Sequence, residues 1–267
     1  MRVLDLFAGL ESGTRPFADR GHEVVTTDIH AVFKTTVPGD LLDDDIVGTV
    51  LALGPYDFVW ASPPCQGFSV MNIGRNWYHD GTPKTDTARM GLRLVERALE
   101  VIDLIRPQAF IIENPRAKLR KLPAVSGLER RTVTLCQYGM PYMKPTDLWG
   151  GFPPGLVLRP MCKNGDPCHV SAPRGSRTGS QGTLRSMQTF KDGTPEATAA
   201  YRRIPYDLAM DICVAAEAAI DGHPLQGATL FDSVPEVQTV CDACGQCYDH
   251  DPSDCGQEEC IEGTGGA

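Results

Sequence analysis

No apolar run in this chain approaches the ~18 residues that a membrane-spanning helix needs, so no membrane contact is expected. The opening residues Met1-Arg2-Val3-Leu4-Asp5-Leu6-Phe7 lack the layout of a signal peptide and read as a strand, so a cytoplasmic protein is expected. Aromatic residues are sparse at 7%, but 42% apolar residues with 27 Gly and 21 Pro predict a globular, loop-rich fold and exclude a disordered chain. Positive charge is missing from the C-terminal part. No Lys or Arg follows Arg203, and residues 230–267 hold nine acids. The net charge of −9 therefore belongs to the tail, because the rest of the chain balances 25 acids against 25 bases. Within it, residues 106–203 hold 16 Lys or Arg and only 6 Asp or Glu, so the overall acidity does not exclude a polyanionic partner.

Ten cysteines in a chain expected to be intracellular point to catalysis or metal rather than disulfides. Five of them, Cys241, Cys244, Cys247, Cys255 and Cys260, crowd into the last 27 residues with zinc-like spacing. Cys241, Cys244, Cys255 and Cys260 form one tetrahedral set, with Cys247 and His250 as rivals and an unfolded thiol-rich tail as the alternative. Cys162, Cys168 and His169 are also metal-capable, but no fourth ligand is evident beside them and no zinc is expected there.

Strand-like runs at residues 1–6, 23–27, 56–61 and 108–112 alternate with helical stretches at 12–20 and 87–105, the first with Ser12 as N-cap. In the longer helix Met90, Leu94, Ala98, Val101 and Ile105 recur at helical spacing. Such alternation predicts an α/β fold with a mostly parallel sheet and right-handed crossovers. The expected organisation is a catalytic domain at 1–150, a small loop-rich recognition lobe at 151–200, a helix returning to the catalytic domain at 201–222, and a linker with a Cys-rich tail at 223–267. Asp5, Gly9, Asp28, Cys65 and Glu113 all fall near the carboxyl ends of predicted strands, where open α/β sheets bind ligands.

The segment Pro63-Pro64-Cys65-Gln66 follows one of these strands and precedes a glycine-containing stretch, residues 67–91. Two prolines fix the backbone before the thiol, and glycines after it permit a closing loop. That pattern presents a nucleophile at a sheet edge; a buried structural thiol is the alternative. Asp5-Leu6-Phe7-Ala8-Gly9 before a helix is a nucleotide-type cofactor turn, since glycine allows close backbone approach. Asp28 sits where an acid would hydrogen-bond ribose hydroxyls. Asp40 would accept from an adenine amino group or form a turn.

Taken together these residues resemble the DNA cytosine-5 methyltransferase family. Asp5-Leu6-Phe7-Ala8-Gly9 is similar to its first motif, Pro63-Pro64-Cys65-Gln66 to its nucleophile motif and Glu113-Asn114-Pro115 to its Glu-Asn-Val motif. Gln137-Tyr138-Gly139-Met140-Pro141 resembles the segment before the family's Arg-x-Arg pair, whose places are taken here by Lys144 and Thr146. Ile204-Pro205 and the helix after it resemble the final motif, without its usual Gly-Asn. The resemblance spans roughly residues 1–220, and the compact form with Lys144-Pro145-Thr146-Asp147-Leu148-Trp149 looks like a phage-type member.

The resemblance implies a Rossmann-like, S-adenosylmethionine-dependent enzyme acting as a monomer on double-stranded DNA. Cys65 would attack cytosine C6, Glu113 would hold the N3 proton and amino group, and Lys144 would stand in for one arginine. Phe7, Ala8, Gly9, Leu10, Asp28, Ile29, Asp40 and Pro64 would bind the cofactor. Gln66, Ser69 and Arg75, with Asn76 and Trp77, would meet the DNA, with simple packing as the alternative for Trp77, and Glu11 would bind the methionine amino group or only cap the helix start. Arg174, Arg177 and Gln181 have side chains suited to reading guanine and adenine. Methylation of RNA, a catalytically silent DNA-binding homologue, and transfer of a different group from a modified cofactor remain as rivals. Protection from restriction or preparation of cytosine for further modification are the expected roles.

Overall fold

The computed structural model describes residues 1–140, 142–163, 165–169 and 203–222. Strand β1 (Arg2–Leu6) directs Leu4 and Leu6 to one face and Val3 to the other, all fully buried. The same division recurs in β4 (Phe58–Ala61), with Val59 and Ala61 opposite Phe58 and Trp60. It recurs again in β5 (Ala109–Pro115), with Phe110 and Ile112 opposite Ala109 and Ile111. Strands that are apolar at consecutive positions need cover on both faces. Each Val, Leu, Ile or Phe among them contributes roughly 1.5–3 kcal/mol on burial.

The sheet has seven strands in the order β3-β2-β1-β4-β5-β7-β6, completed by β2 (Glu23–Asp28), β3 (Val37–Pro38), β6 (Arg130–Thr134) and β7 (Pro145–Trp149). β7 runs antiparallel to both its neighbours, while β1 to β5 pair in parallel. This is a Rossmann-like arrangement, and the expected mostly parallel sheet is present.

One face is covered by α2 (Asp44–Ala52) and α4 (Asp86–Ile105), with the short helix α3 (Ile73–Asn76) between them in the chain. Thr85 caps α4 by accepting the Ala88 N–H, and Arg106 ends it in the left-handed region at φ 52°. Its inward stripe is Ala88, Gly91, Val95, Ala98 and Ile102, whereas Met90 is 52% exposed. The expected stripe through Met90 and Leu94 is therefore rotated, and a Cβ on Gly91 would sit 3.3 Å from the Phe68 ring, which keeps that position small.

The other face is covered by α1 (Arg15–Asp19) and the final helix, α5 (Tyr206–Gly222). Leu208, Ala209, Ile212 and Ala216 pack with Phe17, and Arg20 binds Glu217 through two hydrogen bonds of 2.7 and 2.6 Å. The final helix thus packs onto the same face of the sheet as α1. Ser12 does not cap α1 as expected; its Oγ instead accepts the Ile204 N–H at 2.9 Å and ties the final segment to the first turn. Described residues 150–169 contain no helix or strand, and 170–202, including Arg174, Arg177 and Gln181, lie outside the described residues, as does the tail with Cys241, Cys244, Cys255 and Cys260. Among the described residues no helix is long and apolar enough to cross a membrane.

Candidate active site

Chain reversals at the carboxyl ends of β1, β2, β4 and β5 surround a cavity of about 320 Å³. That is near the lower end of small-molecule sites, about 300–1,000 Å³. Asp5, Gly9, Asp28, Cys65 and Glu113 all line it, so the five strand-end positions do meet along one edge.

After β1 the chain turns sharply. Phe7, Gly9 and Glu11 have φ of 62°, 50° and 56°, a left-handed conformation that is uncommon outside glycine. Backbone N–H groups in this turn are held by β2: Ala8 donates to the Thr27 carbonyl and Gly9 to Asp28 Oδ2, each at 3.0 Å. Asp28 Oδ1 accepts the His30 N–H at 2.8 Å, so the carboxylate is fixed at the rim. Gly13 passes so close to Trp60 that an added Cβ would lie 2.4 Å from the ring. The indole is in turn held by a 2.8 Å hydrogen bond to Ser62 Oγ.

Asp5 lies beneath the turn, 2% exposed, and accepts a 2.6 Å hydrogen bond from Thr14 Oγ1. Burial pushes its carboxyl up to about 8; the Thr14 hydroxyl opposes this, and the nearby Glu11 and Asp28 charges add to it.

Cys65 follows β4, and its carbonyl accepts the N–H groups of Phe68 and Ser69 at 3.0 and 3.1 Å. Glu113, buried on β5, faces the same cavity, and the adjacent Asn114 donates from Nδ2 to the Pro63 carbonyl at 2.9 Å. The two motifs, fifty residues apart in the chain, are thus joined directly. Lys144, just before β7, also lines the cavity. Thr146, in the second arginine position of the resemblance, is fully buried and donates to the Lys144 carbonyl at 3.3 Å.

Of the residues expected to bind cofactor, Phe7, Ala8, Gly9, Leu10, Asp28 and Pro64 line the cavity; Ile29 and Asp40 do not. Ile29 is 59% exposed, and Asp40 Oδ1 accepts the Leu42 N–H, a turn-forming bond. Gln66 reaches the cavity, whereas Ser69 and Arg75 lie outside it. The expected DNA-facing role of Asn76 and Trp77 does not match their surroundings. Both are buried, and both donate to the Gly67 carbonyl, at 3.1 and 2.7 Å, pinning the loop from within. Glu11 does not line the cavity either. Sequence reading missed His30, Phe33 and Arg203, which do, and Ile204 of the final motif lines it as well. His30 follows Asp28 by two residues and Arg203 directly precedes the Ile204-Pro205 motif, the only local signals for them.

No protein-family model matches the chain. The "Probable DNA (cytosine-5)-methyltransferase" of Frog virus 3 (isolate Goorha) is 33% identical over 204 residues, covering 70% of this chain and 93% of that protein. The type II methyltransferase M.AgeI of Thalassovita gelatinovora is 27% identical over 202 residues, covering 65% of this chain and 44% of that protein. The structure of the Entamoeba histolytica methyltransferase EhMeth is similar at a TM-score of 0.40 and 15% identity, over 61% of this chain and 57% of that one. The Dnmt2 methyltransferase of S. pombe is similar at 0.36 and 15%, over 56% and 48%. Structural scores this low leave the assignment to the sequence match with the viral protein. On 33% identity across 93% of that relative, the chain belongs to the DNA (cytosine-5)-methyltransferase family.

Proposed function

We propose that this protein transfers a methyl group from S-adenosylmethionine to C5 of a cytosine flipped out of double-stranded DNA, through a covalent bond between Cys65 and C6. The observation that carries this reading is one cavity lined by a thiol, a buried carboxyl and a glycine turn, contributed by Cys65, Glu113 and Gly9.

The residues present fit the cofactor. Phe7, Phe33 and Trp60 provide apolar walls, and Asp28 offers a carboxylate fixed by two backbone N–H groups. When bound, S-adenosylmethionine supplies an electrophilic methyl group. Cytosine C5 is too weak a nucleophile to take it unaided. Addition of the Cys65 thiolate to C6 moves electron density onto C5, while Glu113 holds the N3 proton and the exocyclic amino group. The activated C5 would be the atom that accepts the methyl group the bound cofactor would supply. A base removes the C5 proton, and the electron pair left behind reforms the C5–C6 double bond and expels the thiolate. Lys144 supplies a point charge for the cytosine O2 or a phosphate. The target atom is inaccessible inside a duplex, so the base must leave the stack, and Gln66, which lines the cavity, would approach the gap.

Trapping tests the reading. Purified protein is incubated with S-adenosylmethionine and duplex DNA containing 5-fluorocytosine, whose C5 fluorine cannot leave as a proton does. A covalent, methylated adduct is expected, and it should disappear in Cys65→Ser, which should also lose methyl transfer while keeping its fold. An adduct only on RNA would replace the substrate, and binding without any adduct would make the protein a silent homologue.

A further inference from the structure

Cys136 lies in a 3-10 turn, Leu135–Tyr138, directly after β6, and is 4% exposed. Cys162, Cys168 and His169 come from the irregular stretch after β7 and complete the group that lacked a fourth member in the sequence. The Cys136 Sγ is 3.1 Å from that of Cys162 and 3.6 Å from that of Cys168. His169 turns Nδ1 toward the thiols, 3.7 Å from Cys162 Sγ and 3.4 Å from Cys168 Sγ. All four ligand atoms lie within 4.8 Å of one another.

Zinc bonds of about 2.3 Å to sulfur and about 2.0 Å to nitrogen define a tetrahedron with sulfur–sulfur edges of about 3.8 Å and sulfur–nitrogen edges of about 3.5 Å. Three of these four spacings fall close to those values, and the Cys136–Cys162 edge would open on binding. All three thiols are free, and 3.1 Å is far beyond a disulfide bond of about 2.05 Å. Three thiols and an imidazole are weak partners for one another, but soft thiolates with imidazole are a zinc-binding set. Neighbouring groups hold the cluster: Thr134 Oγ1 accepts the Cys162 N–H at 2.9 Å, and Gln137 Nε2 donates to Cys168 Sγ at 3.7 Å. The second metal-capable group among the described residues, His22, Cys213 and Glu217, has three members, and its carboxylate is already bound by Arg20.

We propose that Cys136, Cys162, Cys168 and His169 bind one structural zinc ion that fastens the stretch after β7 to the catalytic sheet. Four protein ligands close the coordination sphere, so the ion has no open position for chemistry. Its place explains its use. The Cys136 turn leads toward Lys144 at the cavity, while His169 immediately precedes residues 170–202. A stretch with no helix or strand and few buried apolar side chains gains its fixed path from the metal.

The full-length chain carrying Cys241→Ser, Cys244→Ser, Cys247→Ser, Cys255→Ser and Cys260→Ser removes the competing tail thiols. After growth with zinc and dialysis, elemental analysis should find about one zinc per chain in this variant. Adding Cys162→Ser or His169→Gln should bring it close to none. Cobalt exchanged into the tail variant should give tetrahedral ligand-field bands and strong thiolate charge transfer, weakened by Cys168→Ser. A folded tail variant without zinc overturns the proposal, as does zinc undiminished by Cys162→Ser. If the added substitutions prevent folding, the tail variant decides alone: metal with thiolate charge transfer supports the site, and its absence removes it.

Discussion

The bond from Asn114 Nδ2 to the Pro63 carbonyl fixes the distance between the thiol-bearing turn and the strand that carries Glu113. Asn114 is a positioning residue, since it does not line the cavity. Asn114→Ala should lower kcat by about 10²-fold, the order expected of a misplacement near 1 Å, with KM for DNA changed far less. Steady-state kinetics beside a thermal melt would separate this from general destabilisation. Asp5 gives a pH signature. The folded protein keeps its proton up to about pH 8, whereas an unperturbed carboxyl releases it near 3.8. Between those values the folded state binds more protons, so this contribution to stability is complete below the lower value and is lost as pH rises toward 8. Melting temperature from pH 5 to 8 should therefore fall less steeply in Asp5→Asn than in the parent protein. Asp5 was legible in the sequence as part of a cofactor turn, but its charge state was not, because desolvation depends on what covers it.

Elements differed in how clearly the sequence announced them. β1, β2, β4 and β5 are apolar enough to read directly, and the amphipathic α4 and α5 were also legible. α2 was overlooked although Asp43, which caps it by accepting the Asp45 N–H at 2.9 Å, stands before an acidic first turn and an apolar run. β6 and β7 were hidden because Arg130-Arg131-Thr132 and Pro145-Thr146-Asp147 look like loop. Tertiary partners make those residues tolerable. Asp147 is fully buried, yet Arg120 meets both its oxygens at 3.0 and 2.8 Å and Thr132 Oγ1 donates at 2.7 Å. Removing the carboxylate strands a partly buried guanidinium, so Asp147→Ala should destabilise the protein by about 3 kcal/mol in chemical denaturation. Trp77 was read as a DNA contact or as a residue that simply packs, and its stacking on Phe68, with ring centroids 5.9 Å apart, matches the second reading.

At the scale of the molecule, the neutral body with its basic middle is the feature most relevant to a polyanion. Arg116 follows Pro115 at the cavity, is exposed, and makes no ion pair among the described residues. If it meets a phosphate under the proposed function, Arg116→Ala should reduce the slope of log affinity for DNA against log salt by about one. Binding isotherms at several salt concentrations would measure it. The sequence by itself determined the alternating α/β order, the placing of candidate residues at strand ends, and the family, because strand apolarity, helix periodicity and short motifs are local properties of the chain. Tertiary structure alone decided which of those candidates share a cavity, which aromatic residues are buried, and that Cys136 joins Cys162, Cys168 and His169. Sheet order and packing bring together residues that lie 26 or more positions apart, and no local pattern encodes that proximity.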